Sequence, residues 1–258
     1  MISIKTKEEI EIIREGGKML ARIMEELKKK VQPGITTKEL DRVAEDLVFK
    51  SGVQPAFKGY EGFPATLCTS LNQIIVHGAP SDYKLKKGDI LSLDLGIKYK
   101  GFFTDMAITV FVTDAKISGN PVAADFEVLR LIRITKKALK LAIKKSRPGN
   151  TFGDIGNTIQ RYVEQQGFNV VRDLCGHGIG KELHEEPQIL NYGKRKTGPE
   201  LREGMTFCLE PMVTMGDGEI EKTKDGFSWQ TKDNSLSCHF EHTIAITKDS
   251  CKVLTELN

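Results

Sequence analysis

The 258-residue chain has no pair of cysteines at CxxC spacing, and its five cysteines (Cys68, Cys175, Cys208, Cys238, Cys251) are scattered. An odd, unclustered set excludes a disulfide framework and a thiolate zinc site, and suits a reducing compartment. No apolar run approaches the roughly 18 residues that cross a bilayer. The N-terminus is charged from Lys5 onward and carries no apolar signal region. A cytoplasmic chain with no membrane partner is therefore expected. Neither sign of charge dominates, since 38 Lys and Arg face 35 Asp and Glu for a net +3. So mild an excess gives no reason to expect DNA as a partner. Histidine is scarce too: the five are His77, His177, His184, His239 and His242.

What is present is a repeated pattern. Thr6-Lys7-Glu8-Glu9 reads as a capping box, and Ile10, Ile13, Leu20, Met24, Leu27 and Val31 mark one face of the helix it opens. Pro33-Gly34 breaks that helix. A second starts at Thr36 with Glu39 three residues on, buries Leu40, Val43 and Leu47, and stops at Gly52. The same order recurs later: a helical run from Asp125 to Lys145, Pro148-Gly149, then Thr151 with Asp154, a face of Ile155, Ile159 and Val163, and Gly167. Both Pro-Gly breakers, both caps and both stop glycines keep one offset of 115 (148 − 33 for the prolines). Strand-like segments follow each helix pair. Gly88–Asp94 matches Gly204–Glu210, and Thr104–Thr109 resembles Phe240–Ala245. We expect an internally duplicated α+β fold: one domain over 1–258, with halves of about 1–112 and 125–258, a linker at 113–124, and helices on one face of a mostly antiparallel sheet.

Each half supplies one acid at the end of a strand and another early in a later strand. In Leu91-Ser92-Leu93-Asp94-Leu95 the leucines take one face, and Ser92 and Asp94 the other. If the hairpin turns at Tyr99-Lys100, Asp94 faces Asp105, with Cβ atoms about 4.5–5.5 Å apart. Two ionised carboxylates so placed need a shared proton or a cation. Glu210 and Glu241 are likewise embedded in apolar strands with no Lys or Arg in the strand to neutralise them. His177 sits among alternating glycines in Cys175-Gly176-His177-Gly178-Ile179-Gly180, while His77 and His184 head loops punctuated by Gly78 and Pro187. Four carboxylates plus an imidazole match hard to borderline divalent ions such as Mn, Fe(II), Co or Zn. Charge balance favours two of them, a pair that can share a hydroxide nucleophile.

These motifs together resemble the type I methionine aminopeptidases, metallopeptidases of the M24 family with the pita-bread fold. The resemblance runs over roughly residues 3 to 255. It rests on Asn72 through His77-Gly78, Asp94 with Asp105, the glycine-flanked His177, His184-Glu185-Glu186-Pro187, Glu210-Pro211-Met212 and Glu241-His242-Thr243. It implies removal of methionine from nascent proteins with a small second residue, by attack of a metal-bridging hydroxide on the scissile carbonyl. Asp94, Asp105, His177, Glu210 and Glu241 would hold two divalent ions (Co, Mn, Fe(II), Zn or Ni). Glu210 would act as general base. His77 and His184 would bind substrate and stabilise the oxyanion. Tyr60, Phe63, Cys68, Leu183 and Phe227 would form the methionine pocket, soft and apolar as a thioether requires. Asn72, Ile74 and Ser237 would hold Na or K. The sequence departs from the family pattern at His239, where glutamine is expected, and at Phe57 and Phe63. His239 shares strand parity with Glu241 and could approach the metal site.

The chain length matches the compact form of the family, without the additional domain of prolidases. A monomer is expected. Lys28-Lys29-Lys30 and Lys144-Lys145 could touch ribosomal RNA, although such runs at helix ends also suit the helix dipole. Two alternatives remain: a related proline-directed exopeptidase, and a non-catalytic binding protein on the same fold. Release of methionine from Met-Ala-Ser against cleavage of Xaa-Pro separates the first, and stoichiometric metal separates the second.

Overall fold

The computed structural model describes residues 2–113 and 123–257, so all but the ends of the expected 113–124 linker lies outside the described residues. Thr6 caps α1 (Lys7–Lys30) through the reciprocal bonds of a capping box with Glu9. Thr36 does the same with Glu39 for α2 (Thr37–Lys50). Thr151 and Asp154 open α4 (Phe152–Gln165), which follows α3 (Ala123–Lys145). Each cap satisfies N–H groups that a helix start leaves free. The bounds of α2 and α4 repeat the sequence offset of 115 (152 − 37 and 165 − 50).

Between α2 and α3 the chain forms β1 (Gln54–Pro55), β2 (Cys68–Leu71), β3 (Ile74–Val76), β4 (Ile90–Tyr99) and β5 (Phe102–Phe111). After α4 come β6 (Asn169–Val170), β7 (Cys175–Gly178), β8 (Glu185–Leu190), β9 (Thr206–Leu209), β10 (Met212–Thr214), β11 (Ile220–Lys222), β12 (Trp229–Thr231), β13 (Ser237–His239), β14 (His242–Ile246) and β15 (Cys251–Val253). Every strand pairing among the described residues is antiparallel. One sheet centres on β4, flanked by β1, β2 and β5, and another runs β15-β14-β9-β7-β8. Two smaller sheets, β13-β10-β6 and β11-β12-β3, join them.

Two cores cover these sheets. Leu20, Met24 and Leu27 of α1 and Leu40, Ala44 and Val48 of α2 bury against Leu91, Leu93, Leu95 and Met106. Leu131, Ile134 and Ala138 of α3 and Ile155, Ile159 and Val163 of α4 bury against Phe207, Leu209, Ile244 and Ile246. Burying each Leu or Ile stabilises the fold by about 1.5–3 kcal/mol. The α2 face is rotated from the expected one. Val43 and Leu47 are only partly buried, because Ala44 and Val48 take the deepest positions. No helix among the described residues is long and apolar enough to cross a membrane.

The β4–β5 register corrects the expected one. Tyr99 pairs with Phe102, so the turn is Lys100-Gly101, one residue later than expected. Both carry positive φ, 46° and 86°, as a two-residue hairpin loop that follows the strand twist demands. Asp94 therefore pairs with Ala107, and Asp105 with Gly96. The two aspartates share a face as diagonal neighbours, not as a directly opposed pair.

Candidate metal centre

Three seams bring the acids together. The first is the β4–β5 hairpin, which sets Asp94 opposite Ala107 and Asp105 opposite Gly96, with Phe57 packed against Gly96. The second joins β5 to residues 239–243. Thr109 Oγ1 donates to the His239 carbonyl at 2.6 Å and accepts from the His239 N–H at 3.0 Å. The Glu241 N–H donates to the Ala107 carbonyl at 2.9 Å. Thr243 Oγ1 accepts from the Asp105 N–H at 3.0 Å and donates to the Asp105 carbonyl at 2.8 Å. These contacts keep one antiparallel register, 109 with 239, 107 with 241 and 105 with 243, with threonine hydroxyls standing in for backbone partners. The third seam is β7–β9–β14, which sets His177 beside Glu210, the residue just after β9. Gly176 makes that approach possible, because a Cβ there would stand 2.4 Å from the Cys208 carbonyl and 3.4 Å from Glu210 Cγ.

Ligand atoms of Asp94, Asp105 and Glu241 lie within 4.8 Å of one another, as do those of His177, Cys208 and Glu241. His177 Nε2 stands 3.6 Å from Glu210 Oε1 and 4.0 Å from Glu241 Oε1. Its Nδ1 lies 2.9 Å from the Gly178 carbonyl. A carbonyl only accepts, so Nδ1 carries the proton and Nε2 is left with a lone pair, the tautomer that ligates metal. Asp94 Oδ1, Asp105 Oδ1 and Glu241 Oε1 are buried with no hydrogen-bond partner. Among the described residues no Lys or Arg forms an ion pair with Asp94, Asp105, Glu210 or Glu241.

The electrostatics follow from that isolation. Burial, then the charges of Asp105 and Glu241, push the Asp94 carboxyl well above the carboxylate range. Burial raises Asp105 to about 7. Glu210 and Glu241 are raised well above the usual value, by burial first and by neighbouring acids second. Burial, then His184, lowers His177 to about 3, which keeps its imidazole neutral. The arrangement favours a cation and neutral nitrogen donors.

A cavity of about 690 Å³ opens over the acids. It is lined by all five expected metal residues, by His77 and His184, and by Tyr60, Phe63, Cys68, Leu183 and Phe227. Tyr60 Oη and His184 Nδ1 are 2.9 Å apart, and the His177 and His184 rings meet edge to face at 4.4 Å. Phe63 and Phe227 pack edge to face at 5.6 Å. Asn72, Ile74 and Ser237 also come together, since Ser237 Oγ donates to the Asn72 carbonyl at 3.1 Å and the Ile74 carbonyl at 3.0 Å. That cluster does not line the cavity.

Sequence reasoning missed Cys208 beneath the acids, and Glu61, Lys222 and Trp229 on the cavity wall. Only Trp229, the single tryptophan, offered a signal. Lys5 was missed as well. Its buried ammonium pairs with Glu185, which also accepts the N–H groups of Lys181 and Glu182, so the N-terminal segment braces the loop that carries His184.

The profile of metallopeptidase family M24 matches residues 11–248. A methionine aminopeptidase of Clostridium perfringens is 45% identical over 255 residues, 99% of each chain. Among solved structures, the methionine aminopeptidase of Rickettsia prowazekii superposes with a TM-score of 0.94 at 38% identity, covering 99% of this chain and 100% of that one. That of Thermotoga maritima gives 0.93 at 42% identity over the whole of both. The architecture is thus the pita-bread fold of metal-dependent peptidases. The chain belongs to metallopeptidase family M24 and, within it, to the methionine aminopeptidases.

Proposed function

We propose that the chain removes the N-terminal methionine of newly made proteins, using two divalent metal ions held by Asp94, Asp105, His177, Glu210 and Glu241. The observation that carries this reading is the set of buried carboxylate oxygens with no partner and no cationic side chain. Such a cluster is costly unless cations or bound protons neutralise it. The donor set fits: four carboxylates offset two divalent charges, and the His177 lone pair adds a borderline donor suited to Mn, Fe(II), Co, Zn or Ni. When bound, such a pair supplies a water of lowered pKa and polarises the scissile carbonyl.

The chain's own residues do the rest. Tyr60, Phe63, Cys68, Leu183 and Phe227 give the methionine side chain an apolar wall with one polarisable sulfur. His184, steadied at Nδ1 by Tyr60, keeps its other nitrogen for the substrate, and His77 lines the same cavity. Donors on the carbonyl oxygen gain strength as charge develops there in the transition state. Glu210, on the cavity wall beside His177, accepts the water proton and returns it to the leaving amine. The Asn72 and Ile74 carbonyls with the Ser237 hydroxyl form an all-oxygen group suited to Na or K. We read the chain as a cytoplasmic monomer. Lys28 and Lys29 pair with Glu25 and Glu26, which favours a solvated helix end over a ribosome contact there.

The test is peptide cleavage after chelation, with single metals restored. Free methionine from Met-Ala-Ser is expected, lost with chelator and regained with a divalent ion. Preferential cleavage of Xaa-Pro would move the chain to the proline-directed exopeptidases. A protein that takes up no stoichiometric metal would sink the reading.

A further inference from the structure

His239 ends β13, and both its ring nitrogens are buried with no hydrogen-bond partner among the described residues. The side chain is 2% exposed, yet it borders the cavity. Its backbone N–H and carbonyl both bond the Thr109 hydroxyl, so the ring is anchored to the seam that also sets Glu241. Nε2 stands 3.7 Å from Glu210 Oε2 and 4.0 Å from Glu241 Oε2. His177 Nε2 stands at 3.6 Å and 4.0 Å from the Oε1 atoms of the same two glutamates. The two imidazoles therefore flank one pair of carboxylates and serve different oxygens.

Their chemistry differs. The Gly178 carbonyl accepts from His177 Nδ1–H, which leaves a lone pair at Nε2. Among the described residues no carbonyl or donor sets the tautomer of His239. Its Nε2 faces carboxylate oxygens, which in the ionised state only accept, so the tautomer with the proton on Nε2 is the one this site stabilises. His177 is thus built to ligate, and His239 to donate.

We propose that His239 is a positioning residue of the metal centre, its Nε2–H donating to Glu210 Oε2 and holding Oε1 toward the side that His177 serves. The proposal rests on the reading of Glu210 as metal ligand and base. The 3.7 Å separation is longer than a formed hydrogen bond of about 2.7–3.2 Å, and a modest turn of the Glu210 carboxylate closes it. Glu210 is the partner because it is the nearer acid. Outer-sphere donors of this kind set ligand orientation, and their loss typically costs about 10–100-fold in metal affinity or activity.

The test compares H239A, H239L and H239Q with the wild-type full chain. Affinity for Mn(II) and Co(II) is measured by calorimetry, the Co(II) visible spectrum is recorded, and kcat and KM are taken on Met-Ala-Ser. Leucine keeps the buried volume and removes the donor, and glutamine keeps an N–H donor. H239A and H239L should bind metal about 10–100-fold more weakly, shift the Co(II) bands and lower kcat more than KM, while H239Q recovers most of each. Wild-type affinity and an unaltered Co(II) spectrum in H239L would overturn the proposal. So would an H239Q as defective as H239L, since the ring would then act only by packing. Wild-type protein that binds no metal overturns the underlying function and this proposal with it. Intact wild-type binding beside an unaffected H239L overturns this proposal alone.

Discussion

Asp105 shows most plainly how a residue can be wrong for the fold and right for the site. Its carboxyl is buried, Oδ1 has no partner, and its pKa is raised to about 7. At pH 8 the metal-free protein holds that charge against the cost of burial, with only the Asp94 carboxyl and the Met106 N–H to offset it. Asp105→Asn removes the charge and keeps the shape. We expect the metal-free variant to be more stable than wild type by about 1–3 kcal/mol at pH 8, and to lose activity and tight metal binding. Thermal unfolding in chelator, paired with calorimetric metal titration, checks both halves. A variant less stable than wild type in chelator would show that those two contacts outweigh the cost of burial. That Asp94, Asp105, Glu210 and Glu241 would gather about one site was legible in the sequence, because an acid inside an apolar strand has few reasons to be there. The Asp94–Asp105 register was not. It depends on Lys100 taking a positive φ, which nothing in a lysine announces, whereas asparagine or glycine would have.

At the scale of elements, the seam between β5 and residues 239–243 decides whether the acids meet. It has few backbone-to-backbone bonds of its own. Thr109 and Thr243 complete it with hydroxyls that both donate and accept. Thr243→Val keeps the branched shape and strips both bonds from the Asp105 backbone. Leaving that buried N–H and carbonyl without the hydroxyl should cost about 1–3 kcal/mol of stability. Metal affinity should fall as well, although Thr243 lies outside the expected ligand set. Denaturant unfolding and metal titration read the two effects, and Thr243→Ser, which retains the hydroxyl, should recover most of both. A valine variant with wild-type metal affinity would mean that other contacts align Asp105 and Glu241. Helices, caps and breakers were legible here because Thr with Glu or Asp three residues on, and Pro-Gly, act locally. The seam was not, since a threonine that pairs across 138 residues leaves no periodic trace.

Across the whole molecule, the acids and the histidines pull stability in opposite directions with pH. Buried His177, His239 and His242 have folded pKa values lowered to about 3, 3 and 4. The unfolded chain takes up their protons first, so they cost stability as pH falls below about 6.5. Asp225 adds to this, because its carboxyl is lowered to about 2 and its contribution is lost as pH falls from about 4. The central acids have the reverse sign. Their folded pKa values are raised, so the folded metal-free protein holds protons that the unfolded chain has released, and stability declines as pH rises. Between pH 7 and 8 the histidines are largely spent in both states and the acids remain. The metal-free protein should therefore lose thermal stability across that window. Metal binding must displace the same protons, so the loaded protein should be nearly flat there. Unfolding midpoints at pH 7.0, 7.5 and 8.0, with chelator and with a divalent ion, give the comparison. Calorimetry in buffers of different ionisation enthalpy should register proton release on binding. Parallel curves with and without metal, and no proton release, would mean that the acids are already ionised and compensated within the fold. The cluster would then need another explanation than a pair of cations.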